Sequence, residues 1–305
     1  MKTLTSVLCL LQAANLFAGQ VFQQTVHLDK SNVSETHTWY LSKKKFRLEI
    51  SEDNRQVIYI FTGRSLLACL KGVNRNAKSK IPPSWSAAIK NGVCLVAPVN
   101  LMTHFLISPL HMQFFLQTSE SMQSQLTIEE YNTSSKESAE VSKIKCVNGE
   151  RDYKFSNVRA SKTYSVTGGE KGCYLQTPWR KGLWREVSRR LLQQPKARET
   201  RQKLTKNKIG SLGLLLQGES NFKESSSKSP WRHYRIRMVK SESRKIPSGY
   251  FRKPSTFEMI STLQSKSGTV ARLSKQDKTS ESESDKDLGL DDLIRMFVQP
   301  LVIGR

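Results

Sequence analysis

Apolar and polar residues alternate in short runs over the first part of the chain. Phe46, Leu48 and Ile50 are separated by the charged residues Arg47 and Glu49. A period of two places the apolar side chains on one face of a strand and the charged ones on the other. Similar runs occupy 21–28, 36–41, 56–61 and 65–70. Runs of about five residues between polar turns predict a mainly β fold, an antiparallel meander with one face in water.

Strand-like sequence returns in the second half of the chain. The intervening segment 119–142 is rich in Ser, Thr and Glu, and we predict a loop there. Further strands are predicted at 151–166, 212–217 and 233–239. The fold class is therefore mainly β with some helix (α+β).

Between residues 178 and 194 the period changes to that of a helix. Leu183, Val187 and Leu191 recur every four residues, and basic residues occupy the other faces. This pattern predicts a basic amphipathic helix. Together with the polar stretch that follows it, this helix forms a basic insert over 178–208.

The chain begins with the layout of a secretory signal peptide. Lys2 supplies positive charge, an apolar stretch runs over 7–17, and the small residues 18–19 offer a cleavage site. We predict a signal peptide over 1–19 and export to the periplasm or the extracellular space; a short buried N-terminal helix is the alternative. The apolar region 93–116 is interrupted by Pro, Asn and His, whereas a membrane span needs about 20 largely apolar residues, so no span is expected.

The composition divides the rest of the chain into one domain and a tail. Residues 20–264 carry the strand-like runs and form a single predicted β domain, with the basic helical insert near 178–208. Over 265–287 polar and charged residues predominate, which predicts a disordered linker. Apolar residues recur within 288–300, where we predict a short amphipathic helix.

Four cysteines remain after removal of the predicted signal peptide: Cys69, Cys94, Cys146 and Cys173. An even count in an exported chain predicts two disulfides, although four cysteines allow three pairings. We favour sequential pairing, Cys69 with Cys94 and Cys146 with Cys173, because it closes the shortest loops. A metal site is the competing interpretation, but the spacings are wide and no CxxC motif supports one. We expect no metal and no cofactor.

The strong positive charge indicates an anionic partner. The chain carries 49 Lys and Arg against 26 Asp and Glu, a formal net charge of +23. Such a surface attracts anionic membranes, envelope polymers or nucleic acids, but predicted export and the lack of a nucleic-acid-binding motif disfavour nucleic acid. Contacts to the anionic partner are assigned to the basic helix, at Arg180, Lys181, Arg185, Arg189 and Arg190. The alternative is a basic face that is merely solvated.

No catalytic signature is present in the sequence. P-loop, GxGxxG, HExxH, GxSxG and paired CxxC motifs are all missing. We expect none of the histidines to lie beside an acidic partner, and we predict that the protein is not an enzyme. An exported hydrolase would require folding to bring His104 or His111 beside a carboxylate.

Several short motifs occur in an order that resembles a known family. They lie at 19–22, 39–41, 45–50, 173–179, 212–217 and 246–250, and include Trp39-Tyr40-Leu41 and Pro247-Ser248-Gly249-Tyr250. Together they resemble a family of exported bacterial proteins of unknown function, whose expected fold is the half-barrel of the periplasmic lipoprotein carriers. The resemblance implies a curved antiparallel sheet that wraps a helix and holds acyl chains in its concave face.

The resemblance implies a lipid or acylated ligand as the partner. The candidate lining of the concave face consists of Phe46, Leu48, Ile50, Ile58, Ile60, Phe105 and Phe114. The alternative is a sheet interior filled by the protein's own side chains, with the basic surface binding an anionic envelope polymer or membrane.

Overall fold

The computed structural model describes residues 19–29, 34–52, 55–72, 83–97, 102, 105–106, 125–159, 162–192, 212–224, 231–265, 268–273 and 287–289. The strands are β1 (Gly19–Leu28), β2 (Ser34–Leu41), β3 (Phe46–Glu52), β4 (Arg55–Phe61), β5 (Leu66–Lys71), β6 (Val93–Val96), β7 (Gln125–Val141), β8 (Ile144–Arg159), β9 (Lys162–Leu175), β10 (Leu214–Glu224), β11 (Arg232–Arg244), β12 (Glu258–Ser265), β13 (Gly268–Leu273) and β14 (Asp287–Gly289). The helices are α1 (Pro83–Asn91), α2 (Trp179–Leu192) and a 3-10 helix, Ser248–Phe251.

The strands form one large, curved and open sheet, which confirms the mainly β prediction. Their order is β14-β13-β12-β6-β5-β4-β3-β2-β1-β11-β10-β9-β8-β7. Neighbouring strands run antiparallel except β6 and β12, which are parallel. Successive strands pair directly from β1 to β6 and from β7 to β11, and β1 joins the two meanders by pairing with β11.

Both predicted disulfides are present in the predicted sequential pairing. Cys69 and Cys94 occupy opposite positions on β5 and β6, and Cys146 bonds Cys173 between β8 and β9. The sequence separations are 25 and 27 residues. Each crosslink therefore closes a short loop and ties together strands that are already neighbours.

The long hairpin of β7 and β8 occupies 125–142 of the loop predicted at 119–142, and the prediction was wrong there; residues 119–124 lie outside the described residues. Its turn residues Ser142 and Lys143 have φ values of 47° and 66°, as a two-residue hairpin turn requires. The side chains over 131–140 are mostly exposed because β7 is an edge strand. A strand without a buried face has no reason to alternate apolar and polar residues, so its sequence looks like a loop.

Part of the C-terminal segment also differs from the prediction. Strand β13 and the start of β14 fall within 265–287, where a disordered linker was expected, and Leu288 and Gly289 belong to a strand where a helix was expected. The remaining residues of the predicted helix and residues 1–18 of the predicted signal peptide lie outside the described residues. No helix among the described residues is long and apolar enough to cross a membrane.

The main core lies on the sheet face that carries the helices. Trp85 and Ile89 of α1 and Trp179 and Leu183 of α2 belong to the same buried cluster as Phe46 of β3. We call this side of the sheet the helix-covered face. Since strand side chains alternate, neighbouring residues of the same strands point to the opposite face. There, Ile58, Ile60, Cys69 and Cys94 pack beneath Phe251 and Phe257.

A buried ion pair lies in the second meander. Arg151 of β8 and Glu170 of β9 are directly opposite each other, and the guanidinium donates to Glu170 Oε2 at 3.0 and 2.6 Å. Their side chains are 1% and 0% exposed. The Arg151 guanidinium also lies over the ring of Tyr174, 5.2 Å from its centroid. Charges this deep persist only when paired, so this contact fixes the register of β8 and β9.

Candidate functional site

An aromatic cluster occupies the centre of the helix-covered face. The ring of Phe46 lies 5.8 Å from the rings of Trp39 and Phe61, 5.2 Å from that of Phe105 and 4.5 Å from that of Trp179. All of these side chains are buried. Sheet and helical residues thus meet in direct ring contact, and we call this group of five residues the aromatic cluster.

A polar group lies beside the aromatic cluster, on strand β2. Glu35, His37 and Trp39 are two residues apart, so the strand projects all three side chains to the same face. The Nε2 atom of His37 lies 2.9 Å from Glu35 Oε2, and both side chains are 2% exposed. We call this buried acid and base the Glu35–His37 pair.

Gln24 of β1 connects Trp39 to the second meander. Its Oε1 atom accepts a hydrogen bond of 2.9 Å from Trp39 Nε1, and its Nε2 atom donates to the carbonyl oxygens of Leu215 and Leu216 at 2.9 and 2.6 Å. The register of β10 against β9 shifts between Leu215 and Gln217. The Gln24 side chain is therefore fully occupied in holding this irregular strand and the indole in place.

Arg55 and Tyr59 of β4 complete the polar surroundings. Arg55 is 6% exposed, and Tyr59 is completely buried. Burial raises the pKa of the Tyr59 hydroxyl; the Arg55 charge acts in the opposite direction and the Glu35 charge adds to the rise. Arg55, Val57 and Tyr59 are two residues apart on β4, so Arg55 shares the helix-covered face with Tyr59, which belongs to the main core.

The Glu35–His37 pair has unused hydrogen-bonding capacity. Glu35 Oε1 and His37 Nδ1 are buried, and neither has a hydrogen-bond partner among the described residues. In the tautomer in which the Nε2–H of His37 donates to Glu35 Oε2, the Nδ1 atom of the neutral imidazole is an acceptor. Leaving a buried polar atom unsatisfied costs about 1–3 kcal/mol. The pair therefore offers two acceptors to a group that carries N–H or O–H donors.

The predicted lining residues separate into two sets. Phe46, Leu48, Ile50 and Phe105 lie in the main core on the helix-covered face. Ile58 and Ile60 lie on the opposite face, so their assignment to the same lining was wrong. The reason is the alternation along β4, where Val57, Tyr59 and Phe61 take the helix-covered face. Phe114 lies outside the described residues.

The residues of α2 that were predicted to contact an anion differ in burial and in ion pairing. Arg180 is buried and donates to the carbonyl oxygen of Gly213, which excludes it from surface binding and corrects that assignment. Arg189 and Arg190 both donate to Glu186, at 2.6 and 2.8 Å. Lys181 and Arg185 are exposed, with no ion-pair partner among the described residues.

Glu186 joins α2 to the sheet through these arginines. Hydrogen bonding from Arg189 is the main cause of the lowered pKa of Glu186; burial opposes it and Arg190 adds to it. Arg190 also donates to the carbonyl oxygen of Ala97, just after β6, at 3.2 Å. Arg190 and Glu186 therefore hold the helix in a fixed orientation against the sheet.

The sequence analysis missed the Glu35–His37 pair. The expectation that no histidine lies beside an acidic partner was wrong. The signal was available, because residues 36–41 were predicted as a strand, and extending it by one residue places Glu35 and His37 on one face. Within the described part of the chain, no three His, Cys, Asp or Glu residues are grouped so that they could hold a metal ion.

A comparison with known proteins finds no family model that matches the chain and no curated relative.

Proposed function

We propose that this protein is an exported, non-enzymatic binding protein that holds an amphiphile, a lipid or a lipidated ligand, between its curved sheet and its helices. The observation that carries the proposal is the Glu35–His37 pair, whose free acceptors are buried next to a large apolar surface. An amphiphile needs this combination of a polar contact and an apolar one. The two disulfides support export, because such bonds persist in oxidising compartments.

In this proposal the sheet is a half-barrel whose concave side is the helix-covered face. The apolar part of the ligand contacts Leu48 and Ile50, which lie directly opposite Trp39 and His37 in the register of β2 and β3. Burial of acyl surface drives uptake, at roughly 25 cal/mol for each Å² removed from water. Because Phe105 and Trp179 contact Phe46 directly, loading displaces these two side chains from the sheet.

The polar part of the ligand contacts the Glu35–His37 pair. Both free atoms are acceptors, so the best match is a group with at least two N–H donors, such as a primary amine or an amide. A carboxylate or a phosphate without protons offers only acceptors and fits Glu35 poorly. The chemical class favoured by the site is therefore a long-chain amine or amide.

The test is binding of dodecylamine by titration calorimetry, with dodecanoate as the comparison ligand. We expect dodecylamine to bind more tightly, and the His37→Leu and Glu35→Gln variants to lose this preference. Thr36→Val is the matched control, since Thr36 lies between them on β2 and points to the other face. Equal binding of both ligands by all variants would refute the role of the pair.

A second candidate function is a binding module for an anionic polymer, with the sheet interior permanently filled by the protein's own side chains. The ring contacts of 4.5–5.8 Å around Phe46 favour it, because they leave the centre of the cluster closely packed. The two candidates differ in salt dependence. Polymer binding weakens steeply as salt is added, whereas uptake of an acyl chain does not.

A further inference from the structure

Two turns and one helix converge at the same end of the sheet. The turn after β2, residues 42–45, and the turn after β4, residues 62–65, are adjacent: a Cβ built on Gly63 would lie 3.6 Å from the Lys44 carbonyl oxygen. Helix α2 packs against the second turn, since a Cβ on Gly182 would lie 3.9 Å from the Gly63 carbonyl oxygen. Gly63 has a φ of 94°, which a non-glycine residue adopts only with strain.

This convergence assembles cations from three separate elements. Lys43 and Lys44 lie on the first turn, Arg64 on the second, and Lys181 and Arg185 on α2, where they are one helical turn apart. All of them are exposed, and among the described residues none has an ion-pair partner. We call this set of residues the basic rim.

In the two turns and the helix that form it, no free acidic side chain offsets the charge of the basic rim. Neither turn contains Asp or Glu, and the one acidic residue of α2, Glu186, is buried and paired with Arg189 and Arg190. Like charges gathered at one place repel each other and so destabilise the free protein slightly. An anionic partner relieves that repulsion.

The basic rim lies at the edge of the helix-covered face. A Cβ on Gly182 would lie 3.5 Å from the ring of Phe61, and that ring contacts Phe46 in the aromatic cluster. The half-buried Trp184, between Lys181 and Arg185 in sequence, packs against the same core. The cations therefore border the apolar core that, in the proposed function, holds the amphiphile.

We infer that the basic rim docks the protein on a bilayer surface that contains anionic lipids. The choice of a bilayer over a soluble polyanion rests on the proposed function, because a bilayer delivers an amphiphile to the bordering apolar face. Each cation near such a surface contributes roughly a fivefold gain in binding. Removal of three of them lowers the partition coefficient on the order of 100-fold.

The experiment is sedimentation of the full chain with vesicles of phosphatidylcholine alone or with added phosphatidylglycerol. We expect binding only when phosphatidylglycerol is present, and a decrease with added salt. The Lys44→Gln/Arg64→Gln/Arg185→Gln variant should lose binding on the order of 100-fold. The matched control, Lys136→Gln/Arg237→Gln/Lys240→Gln, removes the same charge from exposed positions on β7 and β11 and should lose far less.

Equal losses in the two triple variants would overturn the inference, because they would indicate a response to net charge alone. Binding of the wild type to dextran sulfate but not to phosphatidylglycerol vesicles would also overturn it. Ligand content, measured in the same variants, separates this inference from the proposed function. A rim variant that retains its amphiphile but no longer binds the vesicles supports the docking role. A rim variant that retains its amphiphile and still binds the vesicles contradicts that role.

Discussion

The Nε2 atom of His37 lies 2.9 Å from the Oε2 atom of Glu35, and the two side chains are buried side by side on strand β2. The other polar atom of each group has no hydrogen-bond partner among the described residues. Evolution retains such incompletely satisfied groups at functional sites more readily than in ordinary cores. In the proposed function, the Glu35–His37 pair gives the helix-covered face a ligand preference that its apolar residues cannot supply.

Variants of the Glu35–His37 pair should distinguish its contribution to stability from its contribution to ligand preference. A single His37→Leu change leaves the buried Glu35 side chain without its hydrogen-bond partner and should lower the free energy of unfolding by about 1–3 kcal/mol. The Glu35→Leu/His37→Leu double variant should recover most of that loss, because apolar side chains match the surrounding core. Urea unfolding followed by circular dichroism measures both values.

The double variant should still fail to prefer dodecylamine over dodecanoate. A double variant that is as unstable as the single one would contradict the expectation that apolar side chains can replace the pair in this core. Thr36→Val, which changes the opposite face of the same strand, is the control for effects on β2 itself.

The Arg151–Glu170 ion pair should behave similarly in stability but not in binding. Arg151→Met leaves Glu170 buried without its cation and should lower the free energy of unfolding by about 3–5 kcal/mol. The Arg151→Met/Glu170→Leu variant should regain most of this loss, as measured by urea unfolding. If its ligand preference changed as well, the binding site would have to extend into the second meander.

The ion pairs of Glu186 should make the stability of the protein depend on pH. The pKa of Glu186 is lower in the folded protein than its ordinary value of 4.5, chiefly through the hydrogen bond from Arg189. The stabilisation is therefore complete above the unfolded pKa and is lost as the pH falls through the lower, folded pKa. Because Arg189 is largely exposed, we expect no more than about 1 kcal/mol.

Urea unfolding of the wild type and of Glu186→Gln between about pH 3 and pH 7 measures this contribution, since the window spans the usual glutamate pKa. The difference between the two proteins should be present at the upper limit and should decrease towards the lower one. A difference that grew on acidification would contradict the assignment of the lowered pKa to Glu186.

The two disulfides should stabilise the fold because they lower the conformational entropy of the unfolded chain. With sequence separations of 25 and 27 residues, the chain-entropy model gives each about 3.5 kcal/mol. The Cys69→Ala/Cys94→Ala variant should show that loss in urea unfolding, and dithiothreitol should affect it less than the wild type. Equal sensitivity of both proteins to dithiothreitol would argue against the Cys69–Cys94 bond.

The sequence was informative wherever side-chain period and burial agree. Strand β3 alternates between Phe46, Leu48 and Ile50 on one side and charged residues on the other, and it has the predicted boundaries within two residues. The cysteine pairing was predicted for a similar reason, since short loops join neighbouring strands of a meander. These features depend on local pattern alone.

The wrong predictions arose where the pattern of apolar and polar residues does not indicate which side chains of a strand or helix are buried. In β4 every residue from Val57 to Phe61 is apolar and both faces are buried, so the sequence could not indicate the side on which Ile58 and Ile60 lie. Arg180 on α2 was assigned to the solvent because of its charge, but the carbonyl oxygen of Gly213, which holds it inside, belongs to a distant segment. Contacts between distant segments depend on the tertiary structure and cannot be predicted from the local sequence pattern.

The central claim, that the helix-covered face holds an amphiphile, is tested most directly by mass spectrometry of the mature protein. The protein is purified without detergent from the cells that produce it, and its organic extract is analysed together with that of the Glu35→Leu/His37→Leu variant. We predict a stoichiometric long-chain amine or amide in the wild type and its loss from the variant. A wild-type protein without extractable ligand, which also fails to take up dodecylamine, would contradict the account and favour the surface-binding module.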